Sequence, residues 1–216
     1  QPTVFFEQNR RVCFTVKYYT LPKLLGDNSL HILGVIMSHS AINKPFVPLQ
    51  IAVLTVSDTR NLETDTSGQY LIDALTGAGH LLADRQIVKD DIYQIRAIIS
   101  AWIASPNVQA ILVTGGTGFS GRDSTPEAVN VLFDKHIEGF GEIFRHYSMI
   151  EIGTSTLQSR ALAGMANNTV IFCMPGSTNA CKTAWINILS QQLDNQHRPC
   201  NFVPNLKKAE QCGSRG

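Results

Sequence analysis

The segment ILVTGGTGFSGRDSTPEA, residues 111–128, sets Gly115, Gly116 and Gly118 among the hydroxyls of Thr114 and Thr117 and then closes on an acid, Asp123. Glycines let a backbone turn sharply and bring its N–H groups against an anion, so the pattern suits a phosphate-binding nest. A carboxylate beside such a nest repels phosphate unless a cation separates them. Mg2+ takes oxygen ligands, keeps several of its waters and is commonly held by one or two carboxylates together with phosphate. Asp123 is therefore expected to hold or orient a magnesium-bound phosphate chain. Spacing alone equally allows it to cap the helix that follows.

Two better-known glycine loops nearly fit. Gly116, Gly118 and Gly121 satisfy G-x-G-x-x-G, but a dinucleotide fold would start its helix among the glycines and place an acid about 20 residues on. Here Ser124 and Glu127, at capping-box spacing with Pro126 between them, put the helix start later. A P-loop would need lysine where Arg122 stands and a hydroxyl where Asp123 stands.

Two further turns carry similar chemistry. TVSDTRNLETDTSGQYL offers Ser57 and Asp58 after a strand, then Asp65, Thr66, Ser67 and Gly68 at a helix start, where a capping role is sufficient for Asp65 or Thr66. TVIFCMPGSTNACKTAW joins a strand to a helix through Pro175, Gly176, Ser177 and Thr178, which also reads as an ordinary Pro-Gly turn with a hydroxyl cap. Asp90, ending RQIVKD, either extends the acidic site toward Asp123 or caps the next helix. His136 and His146 lack partners at metal-ligand spacing, and Cys173 reads as a small core residue.

These turns need a frame that gathers them. LQIAVLTVS, LLADRQIVK, VQAILVTGG and NTVIFCMPG read as strands, the first, third and fourth apolar on both faces. SGQYLIDALTGAG reads as a helix closing on Gly77 and Gly79. DIYQIRAIISAWIAS reads as a second helix with Ile92, Ile95, Ile99 and Ile103 on one face, stopped by Pro106. Strand and helix alternating in this way predict an α/β fold: a mostly parallel central sheet covered on both faces, with ligands at the carboxyl ends of the strands.

The 216 residues are 44% hydrophobic, enough for one core, and 18 Lys+Arg against 17 Asp+Glu leave no basic field to gather nucleic acid or an anionic membrane surface. Five cysteines without a CxxC pair fit a reducing cytoplasm. No apolar run is long enough to span a bilayer. The first 36 residues show no sustained period, and the polar stretch after Met37 reads as a linker. Residues 1–45 are therefore expected to be an extension or linker with Met37 as the natural start, the alternative being an arm that docks on a neighbouring subunit. Residues 46–208 form the expected domain and 209–216 a tail.

LVTGGTGFSGRD, together with TVSDTR, DTSG, VKDD, GFGEIFR, IGTSTLQSRALAG and MPGST, resembles the MoaB/MogA family of molybdenum cofactor biosynthesis proteins, and looks most like its bacterial MoaB branch. The resemblance implies a three-layer α/β/α molybdopterin-binding fold assembling as a homotrimer or homohexamer. It implies Mg2+-dependent transfer of the adenylyl group of ATP to molybdopterin, or binding and delivery of molybdopterin without catalysis. Asp123 and Asp90 would be the catalytic acids. Ligand contacts would fall on Ser57, Asp58, Ser67, Gly68, Ser155, Ser159, Arg160, Pro175, Gly176 and Ser177. Other proteins of the same pathway would be partners. The chain departs from the MogA pattern at PGST and KDD.

Overall fold

The computed structural model describes residues 44–208; the expected extension up to residue 43 and the tail from 209 lie outside them. Seven-residue β1 (Gln50–Val56) is fully buried after its first residue, and β3 (Ala110–Thr114) and β6 (Thr169–Met174) are buried throughout. Strands this apolar on both faces need cover above and below, which is what α-helical crossovers provide. β2 (Leu81–Val88), half-exposed for most of its length, takes the edge. The order is β2-β1-β3-β6-β5-β4, with β2, β1, β3 and β6 mutually parallel.

On one face, α1 (Thr66–Gly77) supplies Leu71 and Leu75, α4 (Glu138–Ile152) supplies Phe140 and Phe144, and α5 (Thr178–Ala184) supplies Cys181. These meet Ile51, Val53, Leu112 and Phe172 from the sheet. On the other face, α2 (Ile92–Ala104) and the short α3 (Thr125–Val129) cover Leu54, Ile111, Val113 and Ile171. Ile95 and Ile99 of α2 are completely buried, each contributing about 1.5–3 kcal/mol of hydrophobic stabilisation. Ile92 and Ile103 are packed against the same cluster and partly covered. α1 ends at Gly77, and Gly79 turns the chain with φ +88°.

Three elements depart from the sequence reading. β5 (Leu162–Ala166) and the two-residue β4 (Lys135–His136) extend the sheet antiparallel to β6. The β5–β6 hairpin turns on Asn167 and Asn168, both at positive φ, a two-residue turn that asparagine tolerates. α4, with Phe140, Phe144 and Ser148 buried at four-residue intervals, was legible as a period but masked by its polar surroundings. After α5 the chain passes through a π-helical turn (Trp185–Leu189) into α6 (Ser190–Gln192).

Candidate functional site

The strand order brings the turns together. β1 and β3 are neighbours, yet the chain leaves β1 for α1 on one face and β3 for α3 on the other, so a crevice opens between their carboxyl ends. A cleft of about 400 Å3 lies there, within the size range of small-molecule sites. Ser57 and Ser67 line it from the first turn, and Thr114, Gly115, Gly116, Thr117, Gly118 and Asp123 from the glycine loop. Ser155 lines it from the 3-10 segment that follows α4 (Gly153–Gln158), Ser159 from the position just after that segment, and Pro175 and Gly176 from the turn after β6. Ser159 Oγ is buried without a hydrogen-bond partner, an orphan polar atom of the kind a bound ligand satisfies.

The glycines are required first by packing between turns. A Cβ on Gly115, whose φ is +107°, would lie 2.1 Å from the Val56 carbonyl oxygen, and one on Gly176 would lie 3.1 Å from Gly115 Cα. A Cβ on Gly116 would point at Thr125 and Asp90. The sequence reading gave these glycines to ligand approach; here Gly115 is needed for the close contact of β1 and β3 at the site, and Gly116 for the seat of Asp90.

The two acids separate cleanly. Asp91 caps α2, accepting the N–H groups of Tyr93 and Gln94 at 3.0 and 2.9 Å. That leaves Asp90 turned to the glycine loop, where its carboxylate accepts the backbone N–H of Ser124 at 3.0 Å and the Ser124 hydroxyl. The expected Ser124–Glu127 capping box is therefore absent: Ser124 makes no side-chain cap, and Glu127 pairs with Arg160. Asp123 does not cap α3 either; it accepts the Ser120 N–H at 2.8 Å and folds back over its own loop, against Gly118.

Burial pushes the Asp90 carboxyl above its ordinary range; the Ser124 hydrogen bonds oppose this, while the charges of Asp123 and Asp58 add to it. Asp123 is held below its ordinary range by hydrogen bonds from Ser120 against the cost of burial, helped by Gly118 and the charge of Arg160. Three acids thus feel one another beside the glycine loop, a negative field that suits a cation. Among the described residues no group of three or more metal-ligating side chains forms a ready cage. An oxygen-only pair completed by water and ligand phosphate is the arrangement Mg2+ tolerates.

Several expected ligand contacts are occupied elsewhere. Asp65 is buried at the N-terminus of α1, accepting Gly68 N–H at 2.8 Å and Thr55 Oγ1 at 2.7 Å and pairing with Arg85 at 3.2 Å. Burial would raise its pKa, but these bonds together hold it below the ordinary value. Gly68 has no room for a side chain because Asp65 and Thr55 crowd it. Ser177 caps α5, accepting the Ala180 N–H at 3.1 Å. Asp58 pairs with the exposed Arg122 at the rim of the turns, and Arg160 is tied to the glycine loop. Cys173 is fully buried, with its thiol pushed far up by desolvation.

The cleft also holds residues the sequence reading missed: Arg60, Ile152 and Gln158. Arg60 sits inside TVSDTR, and its position just past a strand end was a usable signal. Ile152 and Gln158 follow from α4, which was not read as a helix.

Residues 52–195 match the family model described as a probable molybdopterin binding domain. The chain is 59% identical over 169 residues to molybdenum cofactor biosynthesis protein B of Escherichia coli K12, covering 78% of this chain and 99% of that protein. A crystal structure of molybdenum cofactor biosynthesis protein B superposes with a TM-score of 0.66 at 42% identity, covering 68% of this chain and 92% of the other. The tungsten cofactor synthesizing protein MoaB from Pyrococcus furiosus gives a TM-score of 0.61 at 35% identity, covering 67% and 92%. With the glycine loop, the paired acids and the switch-point cleft all inside the matched region, this chain belongs to the molybdopterin-binding family of molybdenum cofactor biosynthesis proteins.

Proposed function

We propose that the protein binds molybdopterin and ATP in this cleft and transfers an adenylyl group to molybdopterin. A terminal phosphate oxygen of molybdopterin attacks the α-phosphorus of ATP, the bond to the β-phosphate breaks, and adenylyl-molybdopterin and pyrophosphate result. The observation that carries this reading is that Asp90 and Asp123 both lie against the glycine loop, with Asp123 lining the cleft. Mg2+, when bound, would neutralise charge between the phosphates. Asp123 and Asp90 would hold it, and the hydroxyls of Ser57, Ser67, Thr117, Ser155 and Ser159 would orient the anionic ligand. Phosphoryl-type transfer is mainly positioning and charge stabilisation, so no covalent nucleophile is required of the chain.

A second reading keeps binding and drops transfer: the protein holds or delivers molybdopterin within the same pathway. It is favoured by the engagement of both carboxylates in hydrogen bonds of the loop itself. Incubation with ATP, Mg2+ and molybdopterin decides between them. Pyrophosphate release with adenylyl-molybdopterin supports transfer; pterin binding without either product leaves the binding protein.

The proposal places the protein in the cytoplasm, as a homotrimer or homohexamer in contact with other proteins of molybdenum cofactor biosynthesis. Exposed Ile143 and Ile150 on α4 are an apolar surface that self-association would cover. Sedimentation of the protein at micromolar concentration tests the assembly, and a monomer there would remove it.

A further inference from the structure

Arg160 is outside the wall of the cleft, yet its head group bonds to the loop that forms that wall and to the first turn of α3. Nε donates to the Gly118 carbonyl at 2.8 Å, Nη2 to the Asp123 carbonyl at 3.0 Å, and Nη1 pairs with Glu127 in the first turn of α3. Its backbone N–H donates to the Thr117 carbonyl at 3.1 Å, and its guanidinium carbon lies 5.2 Å from the centre of the Phe119 ring. Arg145 of α4 in turn donates to the carbonyls on either side, Ser159 at 3.5 Å and Ala161 at 3.3 Å, fixing the segment that carries Arg160.

The loop has little regular structure of its own: Asp123 N–H donates to the Ser120 carbonyl at 3.0 Å, and Ser120 N–H returns to the Asp123 carboxylate. Its shape is imposed from outside by a planar fork that reaches two carbonyls and a carboxylate at once. A lysine ammonium could supply the charge but not that geometry. Arg160 is also not among the residues that line the cleft, and three of its five N–H donors are taken by the loop carbonyls and Glu127.

We infer that Arg160 is a positioning residue: it sets the shape of the glycine loop and the aim of Asp123, and it does not itself hold the ligand's phosphate. The inference rests on the reading that this cleft takes molybdopterin, and it deepens that reading by separating the residues that touch ligand from the one that shapes the loop.

The test compares wild type with Arg160→Lys, Arg160→Ala and the milder Glu127→Gln, reading molybdopterin affinity by pterin fluorescence and amide hydrogen exchange along the chain. Both Arg160 variants should bind about tenfold more weakly, the size expected when part-buried, charge-assisted carbonyl contacts are left unmade. Exchange should speed up in residues 117–123 and not elsewhere, with Glu127→Gln showing a smaller change in the same direction. Guanidinium ion at non-denaturing concentration should partly restore Arg160→Ala. Wild-type affinity in Arg160→Lys would overturn the inference, because charge alone would then suffice. Weaker binding with unchanged loop exchange would overturn it as well, by making Arg160 a direct contact, and so would faster exchange along the whole chain. Failure of the wild type to bind molybdopterin would sink the functional reading alone, since the exchange pattern still reports on the clamp.

Discussion

Asp90 and Asp123 stand at one loop with opposite electrostatic histories. Asp90 is pushed up by burial and by neighbouring acids, whereas Asp123 is held down by donors from its own turn. A carboxyl whose folded pKa is raised favours the protonated native state, so its ionised form costs stability at neutral pH, and that cost fades as pH falls toward the unfolded value of 3.8. Asp90→Asn should therefore be slightly more stable than wild type in urea denaturation at neutral pH, lose that advantage near pH 4, and lose the proposed adenylyl transfer. Asp123→Ala should likewise abolish the proposed Mg2+-dependent product formation while lowering stability by only about 0.5–2 kcal/mol, the scale of a lost turn hydrogen bond. A fully active Asp123→Ala protein would remove the acid from the mechanism.

Among the elements, the start of α1 and the end of β3 hold the site most firmly. Asp65 combines an N-cap, a buried bond to Thr55 and an ion pair with Arg85, all with no exposed side-chain surface of its own. Its replacement by alanine should cost about 2–4 kcal/mol, because the cap is lost and a largely buried arginine is left unpaired. Chemical denaturation checks this; a loss below about 1 kcal/mol would mean the pair contributes little beyond an exposed one. Gly115→Ala should also destabilise by about 2–4 kcal/mol, since the added carbon strikes the Val56 carbonyl at a backbone angle that side chains rarely adopt. Gly116→Val should weaken ligand binding by displacing Asp90 from Ser124, and crystallography of the variant would show that acid moved.

For the molecule as a whole, pH sensitivity is built in at His80. It is buried between Phe46 and Trp185, and its Nδ1 accepts the Leu49 N–H at 3.2 Å, which requires an unprotonated ring nitrogen. Burial lowers its pKa from the ordinary 6.5, with the charge of Asp194 opposing. Below that value the unfolded chain takes up a proton that the native chain refuses, so stability is complete above about pH 6.5 and declines as pH falls toward the lowered folded value. Thermal unfolding followed from pH 8 to about pH 5 should show this decline, and His80→Gln should flatten it. An unchanged slope in the variant would assign the acid sensitivity to the carboxylates.

What was readable in the chain itself is what depends on local chemistry. The apolar runs of β1, β3 and β6 read as doubly covered strands and the isoleucine period of α2 as a core-facing helix, and the fold bears out both. The same holds for the glycine loop following β3 and the hydroxyl-rich turns. The roles of adjacent or competing polar residues were decided only in three dimensions. Asp90 and Asp91 are equivalent by spacing, but the helix takes one as its cap and so frees the other for the loop. Glu127 has capping-box spacing, yet Arg160, 33 residues away, captures it. Asp65 read as a sufficient helix cap and Arg160 as a ligand contact; the fold engages both in internal hydrogen bonds, Asp65 with Gly68 and Thr55 and Arg160 with the glycine loop. A local pattern can name which groups are able to bond; only packing, which brings distant groups within 3 Å of one another, determines which bonds they make.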